Sequence, residues 1–193
     1  MSKSLWLTKR IYPFTLKILN LDHPDIETIV LDEIDSGVDV YYDTRWKITD
    51  AFCQFLIKQQ ELIRNLSVLV LGAGIGMETL VIGQLCKKIY INDMAPLSLD
   101  LCAIQLKKNG IQKFEVLPGR YEDLEYPRVD IVIGCYIIYN KETLKAIKRF
   151  LNHCPFPVLL MNENNSAFEN LLNTSPNKQF LFRDGGYQCI LIE

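Results

Sequence analysis

Gly72, Gly74 and Gly76 stand at alternate positions after an apolar run in VLVLGAGIGMETL, and Asp93 closes a second apolar run in KIYIND. Backbone without a Cβ can lie directly against a ligand. A carboxylate at a strand tip can accept hydrogen bonds from both hydroxyls of a ribose. A dinucleotide fingerprint of the form G-x-G-x-x-G would need its third glycine where Met77 stands, and no G-K-[ST] follows. The spacing therefore disfavours a pyrophosphate on the helix N-terminus and excludes a P-loop. What remains is a site for a nucleoside without a pyrophosphate. Each half also has a plainer use: the loop as a tight turn, Asp93 as a cap for the helix that begins at Pro96.

Two further runs end in groups that could touch a substrate. Tyr136 and Tyr139 lie in GCYIIYN, and Glu163 lies in LLMNENN. The tyrosines could bracket an amine through neutral hydrogen bonds, line a pocket for a small or aromatic substrate, or be ordinary strand-end aromatics. Glu163 could place a carboxylate on the same rim, or cap the next helix together with Asn164 or Asn165. Asp43 and Arg45 in YYDTRW either orient substrate or pair with each other, and His153 reads as a helix-end residue rather than a base. Cys135 reads as a buried thiol.

These groups need elements to hold them. SVLVLG is short, continuous and rich in β-branched residues, which marks a strand buried on both faces. A helix over 78–86 follows, then strand KIYIND, then a helix from Pro96 to a stop at Asn109-Gly110. The alternation continues with strand FEVLPG, loop RYEDLEYPR, strand VDIVIGC, a helix over 141–152, strand PVLLMN and a helix over 166–173. KQFLFRD and YQCILIE flank Gly185-Gly186 and form a closing hairpin. Upstream, TDAFCQFLIKQQELI is a helix capped by Thr49 or Asp50. Residues 26–42 read as irregular with β-favouring pieces and a turn at Asp35-Ser36-Gly37, and 5–19 as a helix broken near Pro13. The expected fold is α/β: a Rossmann-like, doubly wound, mostly parallel seven-stranded sheet with an antiparallel C-terminal hairpin. Residues 1–48 form an N-terminal extension and lid, and 49–193 the ligand-binding domain, within one domain overall.

With 193 residues, 49% hydrophobic and 23% charged, the chain has the balance of one soluble domain. A net charge of −2 with scattered lysines gives no push toward nucleic acid, so no nucleic-acid partner is expected. No apolar run reaches the roughly 18 residues of a membrane span. Six cysteines lie in apolar segments without metal-ligand spacing, which favours reduced thiols, a cytoplasmic setting and no metal. The first 21 residues contain no acid, a composition shared with organellar transit peptides, so a mitochondrial address is the alternative. Oligomeric state is not legible.

S-Adenosylmethionine (SAM) is a nucleoside without a pyrophosphate, and VLVLGAGIG, INDMAP, VDIVIGC and the closing hairpin resemble the class I SAM-dependent methyltransferases. A narrower resemblance, carried by VYYDTRWKITDAF and GCYIIYN, is to the seven-β-strand protein-lysine methyltransferases related to the electron-transfer-flavoprotein β-subunit enzyme. The resemblance implies that Gly72, Ala73, Gly74 and Gly76 line SAM's methionyl part, Asp93 holds the ribose, and Met94 lies against the adenine. Arg120 and Tyr121 would sit at the adenine edge, and Trp46 would close over the methionine end. S-Adenosylhomocysteine would be the product and a protein lysine or another nitrogen the acceptor, with Tyr139, Tyr136 and Glu163 on the acceptor side. Two acids of the pattern are absent: Val70 stands two residues before the first glycine, and Tyr136 replaces the Asp of Gly-x-Asp-x-x-Tyr. Arg120 likewise stands where an acid is common. A small-molecule acceptor, or the same fold kept as a binding module, is the competing reading.

Overall fold

Successive residues of a strand point to opposite faces, and β3 (Ser67–Leu71) has apolar residues on both: Val68 and Val70 on one side, Leu69 and Leu71 on the other, all buried. A strand of this kind must be covered twice. In the computed structural model, which describes residues 3–37, 47–125 and 127–193, it lies inside a seven-stranded sheet, between β4 (Lys88–Asp93) and β6 (Ile131–Cys135). The other strands are β5 (Phe114–Pro118), β7 (Val158–Glu163), β8 (Lys178–Asp184) and β9 (Tyr187–Ile192). The order is β5-β4-β3-β6-β7-β9-β8, with β3 to β7 parallel and the last two strands antiparallel. This is the doubly wound sheet expected from the sequence.

One face is covered by α2 (Lys47–Lys58), α3 (Met77–Leu85) and α4 (Pro96–Lys108), through Phe52, Leu56, Leu80 and Leu106. The opposite face is covered by α5 (Lys141–His153) and α6 (Ser166–Thr174), through Ile147, Phe150, Phe168 and Leu171. After β5 the chain crosses to the other side of β3, so the loops that follow β3 and β6 diverge at the carboxyl edge. That topological switch is where open α/β sheets bind ligands. Among the described residues no helix is long and apolar enough to cross a membrane.

The N-terminal region departs from expectation twice. Residues 5–19 are not a helix but a hairpin, β1 (Trp6–Ile11) paired with β2 (Phe14–Leu19). Leu16 and Ile18 alternate with exposed Thr15 and Lys17, a period of two that outweighs a helical reading once the chain turns at Tyr12-Pro13. The free edge of β2 is met by side chains of α4. Gln105 Oε1 accepts from the Leu19 amide at 2.7 Å, and Asn109 exchanges two bonds with Lys17 at 2.8 and 2.7 Å. The second departure is α1 (Pro24–Asp35), a helix within the segment expected to be irregular. Pro24 in the first turn, the His23 cap on the Asp25 amide and the left-handed Gly37 past its end define it. Its β-branched residues Ile26, Ile29 and Val30 form the face that packs on Leu19 and Leu101. α2 also begins two residues before Thr49.

α1 completes α4. Ala95, at the N-terminus of α4, offers no side-chain cap, and the buried Glu33 of α1 accepts from the Leu97 amide at 3.0 Å instead. Removing that acceptor leaves a helix amide unsatisfied. Glu33→Ala is expected to lower unfolding free energy by about 1–2 kcal/mol in urea titration.

Candidate functional site

The carboxyl ends of β3, β4 and β6 border a cleft of about 450 Å³, within the range of small-molecule sites. Its floor is the loop 72–76. Asp93 and Met94 stand on one side, Tyr136, Ile137 and Tyr139 on the other. Lys9 and Ile18 of the hairpin and Thr49 of α2 contribute to its upper wall.

All three glycines of the loop have positive φ. At Gly76, with φ +85°, a Cβ would collide with the Cys102 thiol, and at Gly72 it would lie 2.7 Å from Ile137 Cγ2. The loop is therefore glycine-rich partly because the protein packs against it, beyond what close approach of a ligand requires. Its open side still faces the cleft. The loop is held at the tip of β4: the Ala73 amide donates to the Asn92 carbonyl at 2.9 Å, and the Gly74 amide to Asp93 Oδ2 at 2.8 Å.

Asp93 lines the cleft as the sequence implied, and it also carries a structural load. Its second oxygen accepts from the Ala95 amide at 2.9 Å, so it does act on the start of α4 as the plainer reading held. Burial pushes its pKa up, against the amides of Ala95, Gly74 and Met94, which favour the charged form. Each oxygen retains a lone pair beyond these bonds. Met94 is 48% exposed on the cleft wall, a large apolar group left open beside Asp93.

The loop after β5 returns through Gly119, whose amide donates to the Asp93 carbonyl at 2.9 Å, into a short 3-10 turn over Tyr121–Asp123. Arg120 and Tyr121 border the cleft but have partners of their own. Arg120 binds Glu122 with Nε and Nη2, at 2.8 and 2.6 Å. Tyr121 stacks edge-on against Phe150 with centroids 5.9 Å apart. Burial pushes the Tyr121 hydroxyl above its ordinary range, so it stays a neutral phenol. Glu122, whose side chain is 4% exposed, is an acid buried in this loop, two residues beyond the position where Arg120 breaks the pattern.

The acceptor side is built on strain. Tyr136 has φ +54°, unusual for a bulky residue, and its amide donates to the Met161 carbonyl at 2.8 Å. The following loop is clamped by β7: fully buried Asn162 accepts from the Ile138 amide at 3.1 Å and donates to the Ile138 carbonyl at 2.8 Å. Asn165 donates to that carbonyl at 2.9 Å and caps α6 by accepting from Phe168. Asn140 and Thr143 form a reciprocal cap on α5. The Tyr136 and Tyr139 rings lie 6.2 Å apart. Glu163 is not the cap of α6. It takes a hydrogen bond from the Tyr136 hydroxyl, and burial together with its negative charge raises the Tyr136 pKa. Glu163 thus pairs with Tyr136 and is not among the residues lining the cleft. Trp46, Asp43 and Arg45 lie outside the described residues.

Sequence reasoning missed Glu78, Glu122, Lys9 and the Asn162 clamp. Glu78 follows the last glycine by two residues and sits in the first turn of α3, where an acid is ordinarily read as a partner of the helix dipole. It is instead buried on the cleft wall.

No family model matches the chain. An electron transfer flavoprotein beta subunit lysine methyltransferase of Rattus norvegicus is 22% identical over 117 residues, 60% of this chain and 46% of that protein. The protein N-lysine methyltransferase METTL21A of Danio rerio is 28% identical over 117 residues, 56% and 53% of the two. A T. thermophilus 16S rRNA N2 methyltransferase, solved with AdoMet and guanosine, superposes with a TM-score of 0.69 at 18% identity, over 99% of this chain and 51% of that one. The fold is that of the class I SAM-dependent methyltransferases. The chain spans about half the length of the curated relatives it matches. Those relatives include enzymes named for protein lysine and for ribosomal RNA, so the absence of a nucleic-acid partner expected from charge has no support in the relatives.

Burial raises the Glu78 carboxyl from the ordinary glutamate value of 4.5 to about 7, opposed by its own amide and assisted by Asp93. A carboxyl whose folded pKa exceeds its unfolded value adds stability that is complete below the unfolded value and is lost as pH rises through the folded one. Glu78→Gln is therefore expected to raise the thermal midpoint of the ligand-free protein at pH 8 and to leave it nearly unchanged at pH 4. Differential scanning calorimetry across that interval checks the sign.

Proposed function

We propose that this protein is a SAM-dependent methyltransferase acting on nitrogen, with a protein lysine as acceptor. The residues fit SAM. The cleft has the volume for a nucleoside, Asp93 keeps acceptor capacity at the strand tip, and exposed Met94 offers an apolar face to an adenine. Gly72, Ala73, Gly74 and Gly76 would then run beside the methionyl part, and the turn carrying Arg120 and Tyr121 beside the adenine. SAM when bound supplies an activated methyl group, so the protein's task is to position and desolvate the acceptor.

The observation that carries the acceptor assignment is the Tyr136–Glu163 pair. An amine must be presented neutral, with its lone pair directed at the methyl group and its hydrogens held. Tyr136 keeps its proton by donating it to Glu163, and a phenol oxygen can also accept from an N–H. The Glu163 charge polarises that oxygen through the hydrogen bond, supplying indirectly what an Asp at position 136 would supply directly. Tyr139 provides a second aromatic wall 6.2 Å away. Lysine is preferred over other nitrogen acceptors because two of the relatives matched in sequence are named for it. The likeness to an rRNA enzyme favours a second reading, an exocyclic base amine, for which the same two tyrosines would serve. The hairpin over 6–19, whose Lys9 and Ile18 border the cleft, would serve as the lid expected of the N-terminal extension.

Incubation of the purified protein with methyl-labelled SAM and a cell lysate separates these readings. Label that survives ribonuclease and is lost to protease is expected, and label lost to ribonuclease would move the acceptor to RNA. With an acceptor in hand, Tyr136→Phe is expected to lower kcat by about 10- to 100-fold, the size of a lost transition-state hydrogen bond, with little change in SAM affinity.

A further inference from the structure

Glu78 has no part in the chemistry described so far. It lies in the first turn of α3, directly after the glycine loop, 7% exposed and on the cleft wall. Among the described residues, the groups that act on its carboxyl offer no positive charge. Cys53 of α2, Cys102 of α4 and Cys135 of β6 face it as thiols that burial keeps protonated, and Asp93 of β4 adds a like charge. Lys9 of the hairpin is engaged by Asp50 at 2.7 Å. Among the described residues no cation forms a salt bridge with Glu78. A buried carboxylate is costly unless a cation joins it, and the cleft is the open route by which one could arrive.

The ligand assigned to this cleft has a cationic end of the right kind. SAM carries an α-ammonium on its amino-acid portion, remote from its ribose. Val70, where an acid might otherwise serve the loop, is buried in the core at 1% exposure. We propose that Glu78 receives the α-ammonium of SAM, so that two carboxylates read the ligand's two ends, Asp93 the ribose and Glu78 the amino acid. This rests on the SAM reading of the cleft.

A linkage follows. With the cleft empty, Glu78 exchanges its proton at about 7, and an ammonium beside it favours the ionised form. Binding then expels a proton. Affinity for a ligand bearing the ammonium falls as pH drops below that value, by at most about tenfold per unit. The neighbouring thiols stay neutral over this interval and do not contribute.

Two ligands and two variants test this by isothermal titration calorimetry. S-Adenosylhomocysteine carries the amino acid, whereas methylthioadenosine keeps the nucleoside and thioether without it. The native protein is expected to release a proton on binding S-adenosylhomocysteine near pH 6 and to bind it more weakly as pH falls, with neither effect for methylthioadenosine. Glu78→Gln is expected to lose about tenfold or more in affinity for S-adenosylhomocysteine, the scale of a charge-assisted hydrogen bond, while methylthioadenosine binding holds within about twofold. Asp93→Ala weakens both ligands. Equal loss of both ligands in Glu78→Gln, or no loss of either, overturns the proposal. If that variant fails to fold, the two ligands on the native protein decide, and identical pH dependence for both overturns it. Failure of the native protein to bind either ligand would instead remove the SAM reading beneath it, an outcome distinct from selective insensitivity to Glu78.

Discussion

The structure around the cleft depends on the tip of β4, where Asn92 and Asp93 gather hydrogen bonds from three loops. The Asn92 carbonyl takes the Ala73 amide, and its side-chain amide donates to the carbonyls of Leu117 and Gly119 at 2.7 and 2.8 Å. Asp93 takes the Gly74 and Ala95 amides with its carboxylate and the Gly119 amide with its carbonyl. Parallel strands leave their last backbone groups unpaired at the carboxyl edge. Here two consecutive side chains satisfy them, so the glycine loop, the start of α4 and the turn after β5 share one anchor. The cleft is shaped by the same residues that would bind its ligand. Asn92 Oδ1 is left as a buried acceptor without a partner in this network.

The opposite wall is organised by a different device. Tyr136 holds a left-handed conformation that a bulky residue adopts only under constraint. The constraint comes from β7, where Asn162 binds both polar groups of the Ile138 peptide and Asn165 adds a third bond. Buried Asn162 and half-buried Asn165 thus fix the segment between Tyr136 and Tyr139, and rigid placement is what in-line transfer to a positioned nucleophile requires. Glu163, hydrogen-bonded to Tyr136, places a carboxylate close to position 136, where the usual acid of the pattern is absent.

Three acids stand displaced from the positions where the family resemblance looks for them. Glu163 pairs with Tyr136, Glu122 stands two residues after Arg120, and Glu78 lies on the helix after the glycine loop rather than on the strand before it. Electrostatic function in a cleft depends on where charge converges in space, and several chain positions lead to the same place.

The sheet, its order of helices, the glycine loop, Asp93 and the closing hairpin were all legible in the sequence, because each is a local signal: periodicity, a turn residue, a strand end. The hairpin at 6–19 and the helix α1 were not. Their apolar residues suit either conformation in isolation. What selects the hairpin is the pair of α4 amides that satisfy the free edge of β2, and α1 is held by its packing on Leu19 and Leu101. The roles of Glu78, Glu163 and Asn162 were equally hidden, since burial and partnership are properties of neighbours distant in the chain. Sequence alone determined the glycine loop and the acid at the neighbouring strand tip. Only the tertiary structure decided which carboxyl groups would be shut away from water beside it, because desolvation exists only once the surrounding elements have closed.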